Sequence, residues 1–485
     1  MEYRLLPGLT TPDCTIDKVS LRTPLVCPDL GRPVPHLNIP LISAAMQAVS
    51  GTRMAIELAK LGGSAVLFCS QTVENEANMV RQVKSYRAGF VDPRTVGPDV
   101  TVSEVHGMRE ELGYTTFPVV DDDRRFLGLL TRNDYDLALH YKLPVRERMM
   151  PREKLEVGVE ISDLAVAARQ LGESHQGVLP IVDRNDRLMH LVFRKDIHDH
   201  LDNPNQVLDS KGRLMVLGGI NTHDYRERVA ALVEAEVDGV VIDSSDGFSM
   251  YEGEALSWIA ANFPELPLIG GNVITAEGFR YLVEHGAQAV KVGMGGGSIC
   301  ITQEQKGTGR GLATTVLAVA EERDAYFAQT GRYIPVIADG GIETARDVTI
   351  ALALGADYCM MGRYFARMDE SPTEKVIINN RVMKPYWGEG SARARTWREN
   401  RYHQTKFVEG VEGFVEFAGK LRDNLEETLS KIKSSMSSCG VKDIRSLHSD
   451  AVLEVVSALS IREGQVHDIY LPGNEGLYGE RSWGG

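Results

Sequence analysis

Eight short apolar runs, each followed by a segment of helical spacing, constrain the fold of this sequence more than any other feature. The runs are rich in Val, Ile, Leu and Ala, which is typical of strands buried on both faces. Their alternation with helices predicts an α/β fold, a parallel (β/α)8 or TIM barrel, with a doubly wound open sheet as the alternative. The runs are Ile39–Met46, Ser64–Cys69, Leu214–Gly218, Gly239–Asp243, Leu266–Gly270, Ala289–Gly293, Ile334–Asp339 and Tyr358–Gly362.

Two related copies of one unit interrupt the alternation after its second strand and helix. Residues 117–134 match residues 179–196 at one constant offset, whereas Ser103 and Ser162 upstream align only after a shift of a few residues. A tandem repeat usually forms a pseudo-symmetric pair. We therefore predict three parts: residues 1–90 as the first part of the barrel, residues 91–205 as an inserted pair (91–143 and 144–205), and residues 206–485 as the rest of the barrel.

The repeat resembles the CBS-domain pair, in which a strand, a turn, a second strand and a helix beginning Thr/Ser-x-x-Asp recur. That resemblance implies a regulatory cleft between the copies that binds a purine nucleotide, with Thr131 and Asp134 contacting the ribose. The second copy has Phe193 where a hydroxyl residue is expected. The alternative is a purely structural pair that binds no ligand.

Composition and charge limit the compartments and partners. The chain has 53 basic and 67 acidic residues and a formal charge of −14, which disfavours broad attraction to nucleic acids or anionic membranes. Its six cysteines lack the spacing of a metal site or a disulfide framework, which favours a reducing compartment. No apolar run reaches membrane-spanning length, and the first residues lack a signal-peptide pattern. We expect a cytoplasmic protein that binds neither nucleic acid nor membrane.

Chemically distinctive residues follow the predicted strands at their C-terminal ends, where barrels of this kind carry their active sites. Glycine-rich turns after the seventh and eighth strands mark the usual barrel phosphate site, to which Gly341, Gly362 and Ser298 would contribute. The distinctive residues are Asp243, Ser244 and Ser245 after the fourth strand, Asn272 after the fifth, Cys300 after the sixth, Asp339 to Gly341 after the seventh, and Gly362 with Arg363 after the eighth.

The segment Val290–Thr302 passes from an apolar run through four glycines to a serine, a cysteine and a threonine. Glycines permit backbone geometry that residues with a Cβ resist, so the amides of this loop can bind a phosphate, or its carbonyls a cation. Cys300 is a candidate nucleophile, with a small buried hydrophobe as the alternative. The polar, glycine-broken stretch at about 380–420 is predicted to be an irregular lid or binding loop.

Together these features resemble the inosine-5′-monophosphate (IMP) dehydrogenase and GMP reductase family. The resemblance is carried by Gly295–Thr302, Ile337–Gly341, Tyr386–Ser391 and the inserted pair, and it spans essentially the whole chain. Arg401 and Tyr402, followed by Glu409 and Gly410, resemble the mobile flap of the dehydrogenase branch, which implies oxidation of IMP to XMP in guanine nucleotide synthesis.

The resemblance assigns a role to each site residue. Cys300 would form the covalent intermediate, and Arg401 would activate water with help from Tyr402 and Thr302. NAD would be bound by Asp243, Ser244, Ser245, Asn272 and Gly293. IMP would be bound by Ser298, Asp339, Gly341, Gly362, Arg363, Tyr386, Gly388, Glu389, Gly390 and Glu409.

The resemblance also implies a potassium ion and a homotetramer. The ion would lie among the carbonyls of Gly295, Gly297 and Cys300, completed by Glu463, Gly464 and Gln465 of a neighbouring subunit. The sequence departs from the family at several of these positions. Trp387 and Glu389 replace the usual arginine and methionine, Arg363 replaces a common serine, and Gln465 replaces a glycine.

Three alternatives remain open at this point. GMP reductase would use the same thiol with NADPH, but reductases lack the Arg401 and Tyr402 pair. A catalytically silent nucleotide sensor would not need Cys300, Thr302, Asp243, Asp339 and Arg401 together. A flavin-dependent barrel oxidoreductase would explain the phosphate glycines but not the cysteine loop.

Overall fold

The structure is a computed structural model that describes residues 2–29, 31–86, 89–91, 93–112, 115–394, 408–464, 466, 469–470 and 477–478. It divides into two compact units, residues 1–80 with 215–485, and residues 81–214. Residues 206–214 belong to the second unit because they bind the end of a helix there: Lys84 forms an ion pair with Asp209 at 3.0 Å, and the Leu214 amide donates to the Tyr86 carbonyl.

The first unit is a closed barrel of eight parallel strands, which confirms the predicted fold and excludes the open sheet. Each strand pairs with the next along the chain, and the second pairs with the third across the insertion. The strand side chains are buried on both faces, as in Val240–Ile242. The strands are β1 Leu41–Ser43, β2 Ser64–Leu67, β3 Leu217–Ile220, β4 Val240–Ile242, β5 Leu268–Val273, β6 Ala289–Val292, β7 Val336–Asp339 and β8 Tyr358–Met361.

Helices follow the strands around the barrel. The main ones are α1 Thr52–Lys60, α2 Val73–Lys84, α3 Tyr225–Glu234, α4 Met250–Asn262, α5 Ala276–Glu284, α6 Leu312–Thr330, α7 Ala345–Ala353 and α8 Leu421–Ser438. Shorter helices are Thr302–Lys306, Arg363–Ala366, Ile444–Asp450 and Ala458–Glu463. Paired short strands outside the barrel are Tyr3–Leu5 with Leu453–Val455, Thr23–Pro24 with His36–Leu37, and Ile469–Tyr470 with Leu477–Tyr478.

A three-stranded antiparallel sheet lies beyond β8, made of Val376–Ile378, Arg381–Trp387 and Glu412–Glu416. The prediction of an irregular stretch at about 380–420 was therefore wrong for Arg381–Trp387 and for Glu412–Glu416. The central strand pairs on both sides, and its regular structure ends only where Gly388 begins the glycine-rich turn.

The second unit contains two sheets. Its strands are Phe90–Val91, Thr116–Val120, Phe126–Thr131, Met150–Pro151, Gly158–Val159, Val178–Val182 and Leu188–Phe193. Its α-helices are Val102–Leu112, Leu137–His140, Leu164–Glu173 and Arg194–Asp202, with single turns at Arg132–Asp134, Val145–Glu147 and Arg152–Lys154. Each copy receives a strand from outside itself, because Phe90–Val91 pairs with Leu188–Phe193 and Met150–Pro151 pairs with Phe126–Thr131.

The two copies share one core built from equivalent residues of each: Val120, Phe126, Leu129, Val182, Leu188 and Leu191. Their helices begin at Val102 and Leu164, at the same offset as their strands, so the predicted upstream shift was wrong. The helices of the copies also differ at one end: Thr131 caps a turn with Asp134, whereas Phe193 provides no side-chain cap. Among the described residues, no helix is long and apolar enough to cross a membrane.

Candidate active site

A cavity opens where the barrel strands end at their carboxyl termini. Its walls come from the loops after β1, β4, β5, β6, β7 and β8 and from the turn after Trp387. Every described residue that the sequence analysis assigned to chemistry, IMP or NAD lies in this wall. They are Asp243, Ser244, Ser245, Asn272, Gly293, Ser298, Cys300, Thr302, Asp339, Gly341, Gly362, Arg363, Tyr386, Gly388, Glu389, Gly390 and Glu409.

Cys300 is half-buried in this cavity, at the end of the glycine loop. Its amide donates to the Gly297 carbonyl at 3.0 Å, which turns the chain back, and its Sγ lies 3.2 Å from Thr302 Oγ1. Cys359 on β8 is a contrast, because complete burial raises the pKa of its thiol. A thiolate is the nucleophile in cysteine chemistry, and only the first of these two thiols can be reached by a ligand.

Glu409 lies next to Cys300 because two extended segments pair there. The Ile301 amide donates to the Glu409 carbonyl at 3.1 Å, and the Val411 amide donates to the Ile299 carbonyl at 3.0 Å. The Glu409 side chain is buried, and its Oε2 accepts from Thr302 Oγ1 at 3.3 Å. A thiol, a hydroxyl and a carboxylate therefore form one continuous array.

The floor of the cavity holds a polar triad of Asp339, Asn272 and Lys291, in which Asn272 and Lys291 are buried and Asp339 is partly exposed. Asn272 Nδ2 donates to Asp339 Oδ2 at 3.0 Å and to the Gly293 carbonyl at 2.8 Å. Lys291 Nζ lies 3.3 Å from the same Asp339 oxygen and also bonds Asn272 Oδ1. Since none of the described residues bonds Asp339 Oδ1, that oxygen can accept a hydroxyl from a ligand.

Glu252 on α4 supports this floor from below. Its Oε1 accepts from the Gly271 amide at 2.6 Å, next to Asn272 in the chain. Burial raises the pKa of Glu252 to about 8, although the Gly271 amide and the charge of Lys291 oppose the shift. Burial therefore favours the protonated form of Glu252, and Asp339 is the carboxylate that lies within ion-pair distance of Lys291.

Glycine backbone forms the side of the cavity between β6, β7 and β8. Gly340 and Gly341 have φ of 92° and 70°, and a Cβ on Gly341 would lie 3.2 Å from the Gly296 carbonyl oxygen. Tyr386 is buried, which raises the pKa of its hydroxyl, while its hydrogen bond with Ser298 opposes the shift. Close backbone, two hydroxyls and the nearby Arg363 suit a phosphate group.

The sequence profile of the IMP dehydrogenase / GMP reductase domain matches residues 2–467. An inosine-5′-monophosphate dehydrogenase of Tritrichomonas foetus is 47% identical over 480 residues, which cover 96% of this chain and 95% of the relative. The chain belongs to the IMP dehydrogenase and GMP reductase family.

Other members of the family match a comparable share of the chain at lower identity. Inosine-5′-monophosphate dehydrogenases of Aquifex aeolicus and Escherichia coli K12 are 36% and 37% identical, covering 97% and 90% of this chain and the same shares of their own lengths. A crystal structure of a cysteine-to-alanine variant of the Trypanosoma brucei GMP reductase, in complex with guanosine 5′-monophosphate, superimposes with a TM-score of 0.86. It is 27% identical and the match covers 97% of each chain. The fold is thus shared by both branches of the family.

Two residues that depart from the family pattern bind the loop after β1. Glu389 Oε1 accepts from the Gln47 amide at 2.7 Å, and Trp387 Nε1 donates to Gln47 Oε1 at 3.0 Å. Gln47 in turn donates to the Ser70 carbonyl after β2. The side chains of Trp387 and Glu389 therefore hold the glycine-rich turn against the loop after β1 through hydrogen bonds with Gln47.

Some predicted residues lie away from this cavity or outside the described part of the chain. Glu463 ends the helix Ala458–Glu463 and Gly464 caps it, beside Arg4, so neither lines the cavity. Arg401, Tyr402 and Gln465 lie outside the described residues.

Several charged residues of the site were not predicted from the sequence. Lys291 left a signal, because a lone lysine within the apolar run Ala289–Val292 is unusual for a strand buried on both faces. Glu343 forms an ion pair with Arg363 at 3.0 Å, and Lys306 pairs with Glu409 at 2.8 Å. Neither ion pair could be recognised from the sequence, since each joins residues that are distant along the chain.

Proposed function

We propose that this chain is an IMP dehydrogenase that oxidises IMP to XMP with NAD. The observation that carries the proposal is the array of Cys300, Thr302 and Glu409 in a cavity that Asp243, Asn272 and Asp339 also line. Named IMP dehydrogenases at up to 47% identity over nearly the whole chain support the same branch.

In the proposed mechanism, the Cys300 thiolate attacks carbon 2 of the purine while Asp339 Oδ1 accepts the ribose hydroxyls. NAD, when bound, accepts the hydride that leaves carbon 2. Asp243, Ser244, Ser245 and Asn272 suit the ribose and amide of that ligand because they present hydroxyl, carboxylate and amide groups to the cavity. Water then adds to carbon 2, Arg401 with Tyr402 and Thr302 takes its proton, and the carbon–sulfur bond breaks to release XMP and the thiolate.

Mixing the protein with IMP, NAD and potassium is expected to give a rise in absorbance at the reduced-nicotinamide band. GMP with NADPH is run in parallel, because the Trypanosoma brucei structural relative is a GMP reductase. Consumption of NADPH with GMP would show that the chain is a reductase instead. Absence of both reactions would favour the nucleotide-sensor alternative.

Replacing Arg363 by alanine is expected to raise the KM for IMP about tenfold or more, because one charge-assisted bond to phosphate contributes about 1.5–3 kcal/mol. The KM for NAD should stay near its original value. Glu343→Gln is the matched control, since it breaks the same exposed ion pair but keeps the guanidinium. Equal KM values for IMP in Arg363→Ala and the unmodified protein would remove Arg363 from the phosphate site.

We also propose a potassium ion among the carbonyls of Gly295, Gly297 and Cys300, completed in a homotetramer by the partner subunit's Glu463, the partner subunit's Gly464 and the partner subunit's Gln465. Gly295 supports the proposal, because its φ of 73° is the left-handed geometry of a loop that turns carbonyls inward. The Gly297 carbonyl already accepts from the Cys300 amide and keeps one lone pair for an ion. Light scattering in potassium and in sodium tests the assembly.

For the inserted unit we propose a regulatory CBS pair, residues 91–143 and 144–205, that binds a purine nucleotide. A cavity beside the second copy supports a ligand site in this unit, because Phe90, Glu160, Ser162, His190 and Lys211 bring aromatic, acidic and basic side chains to its wall. None of the described residues of the first copy contributes to this wall, so the cavity is distinct from the predicted cleft between the copies. In the first copy, Thr131 Oγ1 donates to Asp134 Oδ2 at 2.7 Å, so a ribose would have to share that carboxylate. Titration calorimetry of the full chain with ATP and GTP tests the proposal.

We propose a cytoplasmic location. All six cysteines are free thiols, which supports a reducing compartment. Immunolabelling of fractionated cells tests it.

A further inference from the structure

Gln47 lies in the loop after β1 and binds two other parts of the barrel rim. Its side-chain oxygen Oε1 accepts from Trp387 Nε1 at 3.0 Å, and its backbone amide donates to Glu389 Oε1 at 2.7 Å. Its Nε2 donates to the Ser70 carbonyl at 2.9 Å. Each bond uses a different atom of one residue, so Gln47 joins the loop after β2 to the glycine-rich turn at residues 388–390.

The turn itself has little intrinsic rigidity. Gly388 and Gly390 flank Glu389, and glycine loses more conformational freedom on folding than any other residue. Backbone hydrogen bonds hold one side of the turn: the Gly388 amide donates to the Val411 carbonyl at 3.1 Å, and the Glu409 amide donates to the Gly390 carbonyl at 3.2 Å. The bonds to the loop after β1 hold its other side.

The two side chains that Gln47 binds are nearly buried. Trp387 and Glu389 have 9% and 8% of their surfaces exposed. Burial of an indole N–H or a carboxylate is costly without a hydrogen-bond partner, and Gln47 supplies an acceptor to the first and a donor to the second. Gln47 lies outside the cavity wall, whereas Gly388, Glu389 and Gly390 line it. It can therefore act on a ligand only through the turn.

We propose that Gln47 is a positioning residue that holds the glycine-rich turn in the geometry that binds the purine nucleotide. The inference rests on the proposed role of Gly388, Glu389 and Gly390 in IMP binding. A turn that is already fixed in the free protein loses less conformational entropy when the ligand binds, which raises affinity. Loss of the Gln47 side chain should therefore weaken IMP binding without changing the NAD site, which other loops form.

Titration calorimetry of the full chain with IMP measures this effect without turnover. Gln47→Met keeps the length of the side chain and the backbone amide but removes the bonds to Trp387 and Ser70. It is expected to weaken IMP binding about fivefold, the fold-change that corresponds to about one neutral hydrogen bond. In the NADH assay, the KM for IMP should rise by a similar factor, whereas kcat and the KM for NAD should stay near their original values.

Trp387→Phe tests the same hydrogen bond from its other end, because it removes the indole N–H and keeps an aromatic ring. On its own it should weaken IMP binding by a similar factor, but it should cause no further loss in Gln47→Met, where the bond is already broken. Losses that multiply in the double variant would overturn the proposal, because they would show two independent effects.

The matched control is Gln170→Met in the inserted unit, which removes a half-buried glutamine side chain that donates to the Val157 carbonyl at 3.0 Å. It should bind IMP like the unmodified protein. Equal affinity of Gln47→Met and the unmodified protein for IMP would also overturn the proposal. An unmodified protein that binds no IMP would overturn the proposed function and this inference together, and the first titration alone distinguishes that case.

Discussion

Replacing Cys300 by alanine is expected to abolish NADH formation from IMP and to abolish covalent capture of the nucleotide. The expected loss is at least about 10⁴-fold, since removing the nucleophile of a covalent mechanism leaves only binding and orientation. The loop should keep its conformation in this variant, because backbone hydrogen bonds hold residue 300: its amide donates to the Gly297 carbonyl, and it pairs with Gly410. The variant should therefore fold and bind IMP.

The measurement has two parts: NADH absorbance, and the mass of the intact protein after mixing with IMP and NAD and quenching in acid. The unmodified protein should gain the mass of a purine nucleotide, and Cys300→Ala should not. Cys439→Ala is the matched control, a second half-buried thiol just beyond the end of α8. Normal NADH production by Cys300→Ala would exclude the covalent route, whereas failure of Cys439→Ala would point to general fragility.

The barrel could be predicted because its strands are buried on both faces. Such strands read as continuous apolar runs, as Val240–Ile242 and Tyr358–Met361 do. Boundaries depend on hydrogen bonds that composition does not specify. The third run was predicted to begin at Leu214, but β3 begins at Leu217. Before it, the Val216 amide donates to the Asp238 side chain instead of a neighbouring strand.

The predicted alignment of the two copies was wrong upstream of their strands. It paired the identical residues Ser103 and Ser162 instead of the residues that begin the equivalent helices. Ser103 and Ser162 have similar neighbours in sequence, but the helices are preceded by Thr101 and Asp163. The Asp163 side chain caps its helix, and Thr101 bonds Glu104 within its own first turn. Different side chains can satisfy the free amides at the start of a helix, so an aligned serine is a weak guide.

The site residues that could be predicted are those in the loops directly after the barrel strands. In a barrel, the carboxyl ends of all the parallel strands lie at the same rim, independently of the conformation of the loops that follow them. Asp243, Asn272, Cys300 and Asp339 therefore line one cavity. Charge compensation could not be predicted in the same way. Whether Glu409 faces a lysine depends on how a short helix packs after the nucleophile loop, which no spacing in the sequence determines.

Replacing Arg401 by alanine is expected to separate the two halves of the reaction. Oxidation of IMP requires Cys300 and the bound nucleotides, whereas hydrolysis of the intermediate requires a base, which typically accelerates a step by about 10²–10⁴-fold. The variant should therefore give a rapid burst of NADH equal to the concentration of active sites, followed by slow turnover. Arginine is an unusual base because its reference pKa exceeds about 12, so an electrostatic clamp is the competing role.

Rapid mixing with absorbance detection measures the burst, and acid quenching measures the covalent intermediate, which should accumulate in Arg401→Ala. The matched control is Arg393→Ala in the same part of the chain, where the guanidinium stacks on Trp387 at 4.1 Å from the ring centroid. That variant should hydrolyse the intermediate at close to the normal rate. A lysine at position 401 distinguishes the two roles, because it keeps the positive charge but not the guanidinium. Recovery of hydrolysis in Arg401→Lys would support the clamp, and loss of the burst in Arg401→Ala would show that Arg401 acts before hydride transfer.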